Sequence, residues 1–146
     1  MNRVRQLIGM EERSVWKYTG HGVGVAVLDT GIYPHPDFGR RLMVFKDILN
    51  GRRAPYDDNS HGTHVMGVLG GSGESSDGLY AGVAPECRLV GIKVLDSRGN
   101  GSVSNLLKGL KWLREHKEEY GIRIVNISVG SVPRRETGEE SALVRG

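Results

Sequence analysis

Two histidines three residues apart, His61 and His64, head an apolar run closed by glycines in HGTHVMGVLGG. An aspartate, Asp29, ends a second apolar run, VGVAVL. Three chemistries could use these residues. The histidines could ligate a metal, one could move a proton while the carboxylate orients it, or both could simply pack. The metal spacing is poor: H-x-x-H lacks the glutamate of H-E-x-x-H, and i, i+3 is not its i, i+4 geometry. A buried carboxylate that fixes an imidazole tautomer and stabilises its charged form would suit the proton reading. Taken alone, Asp29 also reads as an ordinary turn aspartate bonded to nearby amides.

The surrounding elements decide how these residues can meet. Residues 23–28 form a short, continuous β-prone run, and RLVGIKVL (88–95) and IRIVNISV (122–129) have the same character. Continuous apolarity predicts strands buried on both faces, as in a parallel sheet. Between the last two lies SVSNLLKGLKWLREHKEEYG, with Val103, Leu106, Leu107, Leu110 and Leu113 on one helical stripe. Ser102 is placed to cap its start and Gly121 to cap its end. Strands alternating with helices predict an α/β domain, whose active residues gather at the carboxyl ends of the strands. Asp29 sits at one such end and SVG (128–130) at another. The spacing from Val65 to Leu69 starts a helix at His61, with His64 one turn further in as a buried, structural histidine.

A chain of 146 residues is long enough for one core. No apolar run approaches the ~20 residues of a membrane span, and the N-terminus lacks a signal-peptide pattern. Cys87 is the only cysteine, which excludes an intrachain disulfide and favours a reducing compartment; a cytoplasmic location is the expectation. The net charge of +3 is the balance of 20 basic and 17 acidic residues, and the arginine pairs are scattered among acids, which predicts a solvated surface rather than nucleic-acid binding.

VAVLDTGIYPHPDF, HGTHVMGVLGG, GVAPECRLVGIKVL and NISVGS follow one another in an order and spacing that resembles the subtilisin-like serine proteases, in particular intracellular bacterial members. The resemblance covers residues 3 to 131. It implies a subtilisin-like parallel sheet with helices on both faces, here incomplete. Residues 1–20 would be an N-terminal helical segment, 21–131 the core, and 132–146 a truncated tail. It implies Asp29 as orienting acid, His61 as general base and His64 as packing. The segments containing Gly99, Asn100 and Gly101, and Ser128, Val129 and Gly130, resemble the two edges that sandwich an extended substrate peptide. The implied partner is a peptide or protein substrate, with no membrane and no nucleic acid.

The family's G-T-S-M-A-type nucleophile motif does not occur, nor does the asparagine segment of the oxyanion hole. The expected chain is therefore the N-terminal half of a serine endopeptidase, silent by itself, with the other half as a possible partner. The alternative is a non-catalytic peptide-binding remnant. Thr137 and Glu140 form a capping box that predicts a helix start near the end of the sequence. Asp37 matches a position that ligates structural calcium in many relatives, but the loop GGSGESSDGLYAG differs from the usual pattern. No metal is assigned and no cofactor is expected.

Overall fold

The computed structural model describes residues 2–10, 17–131 and 142–144. Its centre is a four-stranded parallel sheet in the order β2-β3-β1-β5. The strands are β1 (Gly24–Asp29), β2 (Leu42–Asp47), β3 (Arg88–Lys93) and β5 (Ile122–Ile127). Helix α2 (His61–Gly70) joins β2 to β3, and α3 (Val103–His116) joins β3 to β5. A three-stranded antiparallel ribbon of β4 (Asn100–Ser102), β6 (Gly130–Ser131) and β7 (Ala142–Val144) adjoins them, in the order β4-β7-β6.

Successive residues of β1 point to opposite faces, and each face has its own core. Ala26 and Leu28 pack with Val90, Ile92 and Leu113, against Leu106 and Leu110 of α3. Val25 and Val27 pack with Met66, Phe38 and Leu89, against Val65 and Leu69 of α2. Helices therefore cover both faces, as the sequence predicts, and β1 is buried along its whole length. Both crossovers step the same way across the sheet, yet their helices lie on opposite faces. The two must have opposite hands, so one departs from the right-handed preference of βαβ units.

Three expectations need correction. Ile122 is buried, but β5 is an edge strand and leaves Ile124, Val125 and Ile127 exposed. Continuous apolarity shows that a strand suits burial on both faces, not that both faces are covered. Leu107 lies off the core stripe of α3 and is exposed, because the buried arc is narrower than the apolar one. Among the described residues of the N-terminal segment, helix α1 (Asn2–Leu7) sends its Arg5 guanidinium to the carbonyl of Gly82, and residues 17–20 are not helical. The capping box lies outside the described residues, and residues 142–144, just after it, form a strand.

The caps of α3 match their sequence signals. The Ser102 hydroxyl accepts the Asn105 amide at 3.1 Å. Beyond His116, the Ile122 amide bonds to the Lys117 carbonyl and the Gly121 amide to the Glu118 carbonyl. That pairing is a Schellman closure, and it requires a left-handed residue, which Gly121 supplies at φ +61°.

Candidate active site

At the carboxyl edge of the sheet three charged residues stand side by side, because β3 pairs Lys93 with Asp29 of β1 and with Asp47 of β2. All three are buried. A buried charge is costly unless hydrogen-bonded, so its partners show what the edge is built to hold.

Asp29 is 1% exposed. Its Oδ1 accepts the Thr30 amide at 2.7 Å and lies 2.7 Å from Nδ1 of His61, and its Oδ2 lies 2.9 Å from the same nitrogen. An ionised carboxylate only accepts, so Nδ1 carries the proton and the neutral ring keeps an acceptor lone pair on Nε2. The His61 side chain is 21% exposed, so the ring reaches solvent while the acid beneath it does not.

Helix α2 presents His61 as its first residue, and its N-terminus is capped by several side chains in place of one. The Asn59 carbonyl oxygen of the side chain accepts the His61 amide, the Thr30 hydroxyl accepts the Gly62 amide, and Asp57 accepts the Thr63 amide. Asp57 also accepts the Asn59 and Ser60 amides and the hydroxyls of Thr30 and Thr63. The free amides of a first helical turn are thereby satisfied, by a carboxylate well placed for the helix dipole. Burial would raise the Asp57 carboxyl, but the Thr63 hydroxyl and the amides of Thr63, Ser60 and Asn59 hold it below its usual range. Ser60, just before His61, is left-handed at φ +83°, a conformation uncommon outside glycine that the Asp57 bond to its amide helps to hold.

Gly62 lets the helix approach. A Cβ there would stand 2.2 Å from the Gly31 carbonyl oxygen and 3.2 Å from Cβ of Asp29. Any side chain would push α2 away from the acid.

Lys93 ties the edge together from below. Its Nζ, fully buried, donates to the carbonyls of Thr30 at 2.5 Å and Leu95 at 2.8 Å and pairs with Asp58 at 2.8 Å, over the ring of Tyr56. The Tyr56 hydroxyl in turn donates to Asp47, which also accepts the amides of Leu49, Asn50 and Arg52. The residue after the acid and the loop before the base are thus fixed to one ammonium group.

The structure brings Asp29 and His61 together and excludes His64 from the pair. His64 is exposed rather than buried, and it faces a cavity of about 640 Å³ with Tyr33, His35 and Tyr80. Position i+3 on α2 turns it off the core stripe of Val65, Met66 and Leu69. Asn100 and Gly101 lie in β4 and Gly130 in β6, with Gly99 in the turn before and Ser128 and Val129 in the approach. The two edges face each other across β7. Ser128 accepts a hydrogen bond from Asn126, and among the described residues no hydroxyl is bonded to Nε2 of His61.

Asp37 closes a loop: its Oδ1 accepts the Ser75 amide, and its carbonyl accepts Ser72 N and Arg41 Nη2. Among the described residues no group of three or more His, Cys, Asp and Glu converges as metal ligands would. No helix among them is long and apolar enough to cross a membrane.

Sequence reasoning missed Thr30, Asp57 and Lys93. The available signals were a lysine inside the continuous apolar run VGIKVL and an aspartate pair, Asp57 and Asp58, just before NSHGTH.

Comparison with known proteins follows the same residues. Serine protease AprX of Bacillus subtilis is 45% identical over 131 residues, covering 87% of this chain and 30% of AprX. Subtilisin Savinase of Lederbergia lenta is 41% identical over 131 residues, covering 88% of this chain and 46% of that protein. Among solved structures, the Clostridium perfringens CspB protease superposes with a TM-score of 0.72 at 28% identity, over 84% of this chain and 32% of the other. The chain spans less than half the length of each of these relatives. Residues 20–145, from just before β1 through the β7 strand, match the subtilase family, and with the acid–imidazole edge they establish that this chain belongs to it.

Proposed function

We propose that the chain carries the acid and the general base of a subtilisin-like serine endopeptidase site. The observation that carries this reading is the His61 imidazole held through Nδ1 by both oxygens of buried Asp29, which turns Nε2 away from the acid as the nitrogen that would accept a proton. A serine hydroxyl is a weak nucleophile at neutral pH and attacks a peptide carbonyl only as a base removes its proton. His61 would take that proton at Nε2 and return it to the leaving amine, while Asp29 stabilises the imidazolium formed between the two steps. Asn100, Gly101 and Gly130 would align the substrate by strand addition, which leaves the scissile bond beside the imidazole. No metal or cofactor enters these steps.

The family's nucleophile motif and oxyanion asparagine are absent from the sequence, so the chain alone is expected to leave peptides intact. Adding the remaining part of a related catalytic domain, in trans or by fusion, should produce hydrolysis blocked by serine-directed inhibitors. Loss of that activity on His61→Ala supports the reading. Hydrolysis by the unassisted chain that survives His61→Ala would refute it.

A second reading, a peptide-binding module without catalysis, draws on the two facing edges of β4 and β6. It predicts peptide binding that persists in His61→Ala and no hydrolysis after reconstitution.

A further inference from the structure

Two strands from the acid–base pair, the carboxyl end of β2 opens into a cavity of about 250 Å³, lined by Phe45, Lys46, Asp47, Gly51, Arg52 and Arg53. Lys46 is half-buried, and Arg52 and Arg53 are exposed. Among the described residues none of these three cations forms an ion pair. Asp47, the one acid in the lining, accepts the Tyr56 hydroxyl and the amides of Leu49, Asn50 and Arg52, which fills its acceptor sites. The cations are therefore left to bind something outside the chain. Arg52 is already ordered, with its guanidinium 4.7 Å from the centre of the Tyr56 ring. A stacked guanidinium loses less freedom when it takes a planar acceptor.

We propose that Lys46, Arg52 and Arg53 form an exosite that binds an acidic side chain of a peptide substrate, away from the bond to be cleaved. The proposal rests on the reading of the chain as part of an endopeptidase site. The donors select the ligand class. Phosphate sites are built on free backbone amides, and Asp47 has taken those of this turn. Guanidinium forks beside an ammonium suit the planar carboxylate of Asp or Glu. The placement links the cavity to the chemistry. Lys93 pairs with Asp47 on one side and Asp29 on the other, so the two strand ends lie about 10 Å apart at ordinary strand spacing. The segment after Arg53 then runs to the base. The Tyr56 carbonyl accepts the Ile32 amide, Gly31 pairs with Asp57, and Asp57 caps the helix that starts at His61. An extended peptide advances about 3.3 Å per residue, so the acidic residue stands at least about three positions from the scissile bond. An exposed charge pair is worth up to about fivefold in affinity, and two pairs up to about twenty-five-fold.

The test is fluorescence anisotropy on the full chain at low salt. The probes are short, labelled, end-blocked peptides of alanine and leucine carrying Asp-Asp at one end or the other, each beside its Asn-Asn isostere. At least one Asp-Asp peptide should bind about fivefold or more tightly than its isostere. That preference should vanish in Arg52→Gln/Arg53→Gln and in about 0.5 M salt, while the Asn-Asn peptides bind variant and native chain alike. Equal affinity for a peptide and its isostere would overturn the exosite and leave the endopeptidase reading, which hydrolysis after reconstitution tests separately. A preference kept by the double variant would place the recognition elsewhere and overturn the proposal, as would binding of no peptide at all. Should the double variant fail to fold, Arg53→Gln alone decides, since that side chain is exposed. A preference unchanged by Arg53→Gln would then contradict the proposal.

Discussion

Nδ1 of His61 faces both carboxylate oxygens of Asp29, at 2.7 and 2.9 Å, and the acid is buried while the ring is partly open to solvent. One helix start and one strand end create this relationship, and each is held by side chains that do no chemistry themselves. The predictions below separate the pair from its supports.

Asp29→Asn replaces an acceptor-only group with an amide that can donate, which permits the wrong imidazole tautomer. In a reconstituted catalytic domain turnover should fall by about 10⁴-fold, with substrate affinity little changed. Steady-state kinetics measure this, and a loss below tenfold would remove Asp29 from the mechanism.

Gly62→Ala should destabilise the fold by about 1–3 kcal/mol, since the added methyl meets backbone rather than a movable side chain. Urea unfolding measures the loss. The same change should lengthen the His61–Asp29 contact, so reconstituted activity should drop further than stability alone explains.

Asp57→Asn should lower stability by about 1–2 kcal/mol at neutral pH through weaker capping of α2. The pH dependence carries a sign. The folded carboxyl lies below its unfolded value of about 4, so its contribution is complete above that value and is lost as pH falls through the folded one. Asp47 is lowered too: burial raises it, but the Tyr56 hydroxyl and three backbone amides outweigh that. Below about pH 4 the native chain should therefore lose stability faster than Asp57→Asn, as chemical denaturation at several pH values would show. Parallel curves would contradict the capping account.

Lys93→Met keeps the apolar stem but strands the carbonyls of Thr30 and Leu95, at a cost of about 1–3 kcal/mol for each buried acceptor left unpaired. Thermal unfolding should show a lower midpoint. Near-native stability would mean that water replaces the ammonium without difficulty.

How much of this was legible depended on range. The pair was visible because Asp29 and His61 each carry a local signature, a strand end and a helix start, and the resemblance joined them. The caps of α3 were visible for the same reason, since Ser102 and Gly121 act within a few residues. Lys93 was not, because its partners Thr30 and Asp58 are 63 and 35 residues away and only the fold assembles them. The exposed face of β5 was illegible because apolar content does not reveal whether a neighbour is present. The strand at residues 142–144 was not legible because a capping box upstream signals only a local preference, whereas β7 is made by pairing with the distant β4 and with β6.

The central claim is that Asp29 fixes His61 with its proton on Nδ1 and a basic Nε2. Nitrogen-15 NMR of the imidazole in the intact chain, recorded at a pH where the ring is neutral, tests it most directly. The account predicts the Nδ1–H tautomer as the dominant form in the native chain and its loss in Asp29→Asn. A native imidazole protonated on Nε2, or tautomer populations unchanged by Asp29→Asn, would contradict it.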